Sequence, residues 1–312
     1  MNTAIELPST IQRYLGQLRT ALAGADPSLV QDALYDAEDY LRSEMSSNPD
    51  KTEAEIIAMV ASSYGAPDEV ADIYRETEFK VQAALRTPKP PPSRSLFSRF
   101  FGVLADARAY GALFYLVLTI ATGLLYFSWV AVGLSFSLGV SVLIIGVPFL
   151  ILYFGSIRVL SLVEGRIVET MLGQRMPRRP LYSDRQQPLL TQIKELFTDA
   201  RIWRTQLYFL LMMPLGITYF IAIITLVSVA LTMVFLPLAM WVGLATGDLT
   251  TDAWQLLNTR LLGVDWTVDY WFTPILMLTG FLLLISTLHL ARGIGYLHGI
   301  FSKHMLVKLA RD

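Results

Sequence analysis

Residues 205–247, TQLYFLLMMPLGITYFIAIITLVSVALTMVFLPLAMWVGLATG, run for 43 positions without a charged side chain. Residues 109–157 do the same for 49 positions, and residues 270–291 for 22, with one histidine, His289. A helix that crosses a bilayer needs about 20 apolar residues. The three runs therefore describe an integral membrane protein, all-α and polytopic. Composition agrees: 16% of the 312 residues are charged, against roughly a quarter in soluble domains.

Dividing the runs by length gives five spans. That count puts the basic C-terminus (Arg292, Lys303, Lys308, Arg311) outside, against the positive-inside tendency. Self-comparison gives a different count. Asp106-Ala107-Arg108 recurs as Asp199-Ala200-Arg201, an offset of 93 that also pairs Tyr115 with Tyr208, Gly123 with Gly216 and Tyr126 with Tyr219. An offset of 134 then pairs Gly146 with Gly280, Arg158 with Arg292, Gly165 with Gly299 and Met171-Leu172 with Met305-Leu306. The unit is two spans and an amphipathic tail helix, and the second copy carries 41 extra residues between its spans. Four spans result, at residues 109–132, 137–158, 204–228 and 271–291, with both termini cytoplasmic. Repeat 1 covers 106–173, a cytoplasmic connector 174–198, and repeat 2 199–307. The loop from Arg158 to Arg204 holds 9 basic and 5 acidic residues and lies inside. The extra residues, at 230–270, lie outside. Pro148 and Pro214 are expected to kink their spans.

That outer insertion is where the copies differ. Residues 230–247 extend the third span and then lie in the interface, and 251–263 read as an amphipathic helix. Trp241, Asp248, Asp252, Trp254, Asp265, Trp266, Asp269 and Trp271 form either an interfacial aromatic belt or a surface that meets an extracytoplasmic ligand or lipid. On the tails stand Arg158, Glu164, Arg166, Arg292 and His298, read as coupling elements on interfacial helices whose arginines reach headgroups. Small residues (Gly133, Ser135, Ser137, Gly139) permit a homo-oligomer.

Ahead of the membrane part, residues 1–78 carry 15 acidic and 5 basic side chains. Ile11, Leu15, Leu18 and Leu22 stand at helical spacing. Asp26-Pro27 reads as an N-cap followed by Pro at the first helical position. Thr52 with Glu55 forms a capping box, and Pro67 opens a fourth helix through Val70, Ala71 and Ile73. On the second helix, Asp32, Asp36, Glu38 and Asp39 form an acidic face, either plain solvated surface or a partner-docking face. Residues 79–105 are a basic linker rich in Pro and Phe. MNTAIELPST lacks a basic region followed by an apolar core, so no cleavable signal peptide is expected.

Chemistry-bearing patterns do not surface. With no cysteine, thiolate chemistry is excluded. His298 and His304 are six apart, not the spacing that puts two imidazoles on one metal. No phosphate-cradling glycine loop, nucleophile elbow or metalloprotease motif occurs. An enzyme, a cofactor, a metal and a nucleic-acid partner are all unexpected.

Two resemblances follow from quoted motifs. Tyr14-Leu15, Asp36-x-Glu38-Asp39-Tyr40 and Tyr64-Gly65-Ala66-Pro67-Asp68-Glu69-Val70-Ala71 make residues 1–78 similar to the HAAS family, small helical modules of bacterial membrane signalling proteins. Ala66 replaces the Asp that family members often carry before the Pro. The family implies a protein-interaction module without catalysis. Trp203-Arg204-x-x-Leu207-Tyr208-x-Leu210, then Pro214-Leu215-Gly216, with Glu164-x-Arg166 and Met171-Leu172-Gly173, make residues 106–307 resemble the sensor domain at the N-terminus of many actinobacterial histidine kinases. Unlike those kinases, the chain ends at Asp312 without a catalytic domain. The resemblances imply a non-catalytic sensor of the bacterial inner membrane, with membrane lipid and a cytoplasmic regulator as partners. A small-molecule or lipid transporter built on parallel repeats and a scaffold subunit of a membrane complex are the alternatives.

Overall fold

The computed structural model describes residues 8–85, 95–141, 146–179, 198–246, 259–261, 264–266 and 272–307. Four helices come first: α1 (Ile11–Ala21), α2 (Pro27–Ser47), α3 (Glu53–Ser63) and α4 (Pro67–Leu85). After α5 (Leu96–Phe101) and a 3-10 turn (Gly102–Ala105) come the long helices. These are α6 (Ala107–Ser141), α7 (Gly146–Leu172), α8 (Ala200–Thr246) and α9 (Thr273–Leu306). Each of the four is long and apolar enough to cross a membrane. The protein is an all-α, multi-pass membrane protein, with one short β-ribbon among the described residues.

Local rules explain the first four helices. Thr10 caps α1, and Asp26 caps α2 with Pro27 at its first position. Thr52 and Glu55 close the expected capping box on α3. At α4 the Glu69 carboxylate accepts from the Ala66 amide at 3.0 Å. This is half of a capping box: the carboxylate one turn in reaches back to the amide before the helix, while Ala66 has no side-chain oxygen to offer the amides of the first turn. Tyr14, Leu18, Leu22, Leu29, Leu41, Ile56, Ile57, Val60 and Val70 form their shared core. Ile73 is not part of it and is exposed; the inward position next to it is Tyr74, whose hydroxyl donates to Asp36 at 2.8 Å.

The spans are longer than the apolar runs alone indicate. α8 has 47 residues, about 70 Å at 1.5 Å per residue. It contains Pro214 and Pro237 without interruption. Pro148 lies in the first turn of α7, where an amide has no helical partner to lose, so it does not kink a span. The two tails are not separate helices but continue α7 and α9. Within residues 251–263, expected as an amphipathic helix, Thr259–Leu261 instead form β1, paired antiparallel with β2 (Val264–Trp266). Leu262 and Gly263, between the strands, lie outside the described residues. Residues 251–258 lie outside the described residues.

The chain divides into two compact units. One holds Met1–Lys89, Leu125–Leu211 and His298–Asp312; the other holds Pro90–Leu124 and Met212–Leu297. In the second, a Cβ on Gly123 would strike the Met212 carbonyl, and one on Gly216 would strike the Thr119 carbonyl. α6 and α8 therefore cross with backbones in contact at these two glycines. Asp106 pairs with Arg292 at 2.8 Å. Val103, Ala109, Ile285 and Leu288 pack together there.

Substituting Val for Gly123 or Gly216 should force α6 and α8 apart and destabilise the protein by roughly 2–3 kcal/mol. Gly139, whose Cβ would meet nothing within 4 Å, should accept Ala without loss. Thermal unfolding in detergent, followed by circular dichroism, checks both.

Candidate functional site

A short segment after α7 carries the densest polar chemistry among the described residues. Gly173 ends α7 with φ of 70°, a left-handed cap that glycine adopts without strain. Its amide donates to the Glu169 carbonyl at 3.1 Å. The chain then passes over two glycines. A Cβ on Gly299 would overlap Gln174, and one on Gly165 would press on Met176 at 3.4 Å. Both positions belong to the 134-residue match, and both provide a seat for this segment.

Arg175 sits between them, only 8% exposed. Its guanidinium meets three carboxylates from three elements. Asp32 on α2 lies at 3.0 Å, Glu78 on α4 at 3.1 Å and Glu169 on α7 at 3.3 Å. Nη1 also donates to the Met176 carbonyl. Asp32 Oδ1 accepts from the backbone amides of Arg178 at 2.6 Å and Arg179 at 2.7 Å. In return, Ser28 donates to the Arg175 carbonyl at 3.2 Å and Gln31 to the Arg179 carbonyl at 2.6 Å. The face of α2 is thus matched to the backbone of 175–179 as well as to its charges. At the rim, Asp36 pairs with Arg179 at 2.8 Å and Asp26 with Lys303 of α9 at 2.5 Å.

Electrostatics balance closely here. Burial lifts the Asp32 carboxyl above its ordinary value, against the pull of the Arg179 and Arg178 amides and of Arg175. Burial also works against the Arg175 charge, but the hydrogen bond and charge of Glu78, then the charges of Asp32 and Glu169, outweigh it and raise its pKa. Charge pairs taken out of water gain little net stability, yet removing one partner is expensive. The cluster therefore fixes one geometry without holding it strongly.

A second polar cluster stands further back on α7. Glu164 is fully buried and accepts from the hydroxyls of Tyr126 and Tyr208, each at 3.0 Å. Tyr208 also meets His298 Nε2 at 3.3 Å and Ser302 Oγ at 2.9 Å. Glu164 is therefore packed among α6, α8 and α9 and is not on a free interfacial tail.

The sequence-derived candidates separate into those the structure joins and those it does not. Of the acidic face, Asp32 and Asp36 meet the 175–179 segment. Glu38 pairs within its own helix with Arg42 at 3.0 Å, and Asp39 is exposed. Among the tail residues, Arg166 pairs with Glu169 at 2.7 Å, while Arg158 lines a pocket at the start of α8. Trp241 is half exposed and donates to Thr273 at 3.0 Å. In the ribbon, the backbones of Asp265 and Trp266 pair with Arg260 and Thr259. Asp248, Asp252, Trp254, Asp269 and Trp271 lie outside the described residues. Sequence reading missed Arg175, Glu78, Asp26 and Lys303. Arg175 looks like one more cation of a basic loop, and only its place two residues after the helix-ending Gly173 sets it apart.

Residues 115–306 match the model of the family described as Putative sensor. The chain belongs to this sensor family. Nothing matches among the curated proteins or the solved structures. Glu164, Glu169, Arg175, Tyr208, His298 and Lys303 all fall within the sensor-family region. Asp26, Asp32, Asp36 and Glu78 precede it. The cluster is thus where the family's region holds the helices in front of it.

Replacing Arg175 with Gln leaves three carboxylates around a neutral side chain and should cost about 3 kcal/mol. The Arg166→Gln change removes a half-exposed pair to the same Glu169 and should cost under about 1 kcal/mol. Thermal denaturation of the two variants side by side reads the difference.

Proposed function

We propose that the protein is a non-catalytic sensor of the bacterial inner membrane whose α1–α4 helices form a HAAS-like signalling module, held against the membrane domain and released by a signal. The observation that carries this reading is the burial of Arg175 between Asp32 and Glu78 of the module and Glu169 of a spanning helix. Few charges need to be lost for release, because the contact is specific but not strongly stabilising. Once released, α2 would offer Asp32, Asp36 and Gln31 to a cytoplasmic regulator.

The family match supports sensing. α7 supports the coupling, since it carries Glu164 in the helix bundle and Glu169 at the module. The four-span topology is supported by Asp26–Lys303 and Asp32–Arg175. These pairs are what an even number of spans would give, with the N-terminal helices, the connector and the end of α9 on one side of the membrane. Duplication is supported by the mutual approach of Gly123 and Gly216 and by matching caps, in which Asp106 accepts from the Arg108 amide and Asp199 from the Arg201 amide, each at 3.0 Å. The transporter and scaffold readings gain no observation of their own.

Salt tests the release. Raising ionic strength from 0.1 to 1 M shortens the screening length from about 10 to about 3 Å, which weakens the rim pairs most. Protease cleavage between residues 80 and 100 should then accelerate. The double variant Asp26→Asn, Asp36→Asn should be cleaved fast already at low salt. Cleavage of the unaltered protein at a rate independent of salt would overturn the proposal.

A further inference from the structure

Positive charge gathers where α7 passes the start of α8. Arg158 and Ser161 of α7 line a small pocket with Asp199, Arg201 and Thr205. Arg201 is held in place by its Nε, which donates to the Leu306 carbonyl at 2.9 Å. Arg158 and Arg204 both stand close enough to press like charge on Arg201, and Asp199 is the carboxylate that counters them. Asp199 is also engaged as the cap of α8, accepting from the Arg201 amide. The first turn of a long helix adds further positive potential at the same spot.

The place that the two sequence offsets match to it is closed. Asp106 matches Asp199, and Arg292 matches Arg158. Asp106 and Arg292 form a direct ion pair at 2.8 Å. No such bridge joins Asp199 to Arg158 among the described residues; there the two side chains flank a pocket. Ile157, Leu162 and Ile202 complete its lining, and the same two helices carry exposed Val159, Val163, Trp203 and Leu207, as helices beside hydrocarbon do. Two guanidiniums suit a phosphate group, which accepts planar, forked donors. An apolar surround suits one that carries acyl chains.

We infer that this pocket binds the phosphate of an anionic membrane lipid, with Arg158 and Arg201 on the phosphate oxygens and the chains in the hydrocarbon beside α7 and α8. The inference does not depend on release of the α1–α4 module. Native mass spectrometry of the full chain in detergent tests it, with phosphatidylglycerol, phosphatidylcholine and inorganic phosphate as probes. Phosphatidylglycerol should be retained about tenfold better than phosphatidylcholine, and inorganic phosphate should not displace it. Arg158→Gln should weaken phosphatidylglycerol binding about fivefold, the effect of one interfacial cation. Arg158→Lys, which keeps the charge but loses the fork, should weaken it less than Arg158→Gln does. Equal retention of the two lipids would overturn the inference without reference to any variant. So would unchanged binding by a folded Arg158→Gln protein, or displacement of phosphatidylglycerol by inorganic phosphate, which would assign the pocket to a soluble anion.

Discussion

A guanidinium cannot be buried without partners. Arg175 satisfies that constraint with carboxylates that lie far apart in the chain, Asp32, Glu78 and Glu169. None of the three elements could supply the site alone. α2 and α4 bring two acids held by their own apolar core, and α7 brings the third. Asp32 then engages the backbone amides of Arg178 and Arg179, so the charges and the path of the chain are fixed together. Because desolvation nearly cancels the attraction, the result is accurate placement with little surplus stability. That combination suits a contact that has to be made and broken.

α7 links this contact to the membrane part. Glu164 and Glu169 are five residues apart, about 140° around the helix, so they face different neighbours. One accepts from Tyr126 and Tyr208, and the other meets Arg175. A rigid helix cannot shift one carboxylate without shifting the other. In the proposed mechanism, movement among α6, α8 and α9 therefore reaches the module through a single helix, with no need for a chemical messenger.

The sequence carried the fold through local and periodic signals. The runs without charge located the spans, and Asp26-Pro27 and Thr52 with Glu55 placed helix starts that the structure reproduces. Charge marks only where a span begins to need water, so helix lengths were not legible: α7 runs on through Glu164 and Glu169 because protein covers them. The strands Thr259–Leu261 and Val264–Trp266 were misread because the Leu pairs at 256–257 and 261–262 fit a helical stripe, and three residues are too few to show an alternation. Of the acidic face, sequence supplied the right helix but not the right members. Asp32 and Asp39 are alike as letters, and only the approach of a segment more than 140 positions away separates the buried one from the exposed one. Arg175 was hidden for the same reason, as one arginine among several.

The two halves also differ in a way that their sequence offset makes interpretable. The register that aligns Gly165 with Gly299 aligns Glu164 with His298. Both reach the same hydroxyl, that of Tyr208. A phenol has one proton to donate, and a carboxylate can only accept it, so Tyr208 donates to Glu164. A second glutamate at 298 would compete for that proton and bring a second negative charge into the bundle. A ring nitrogen can instead carry its own hydrogen and donate to the Tyr208 oxygen, completing the chain from His298 through Tyr208 to Glu164. If the halves arose by duplication, their convergence on one hydroxyl is a physical reason for these two positions to differ. The divergence makes one half the acceptor and the other the donor, and it places the junction on the helix that also carries Glu169.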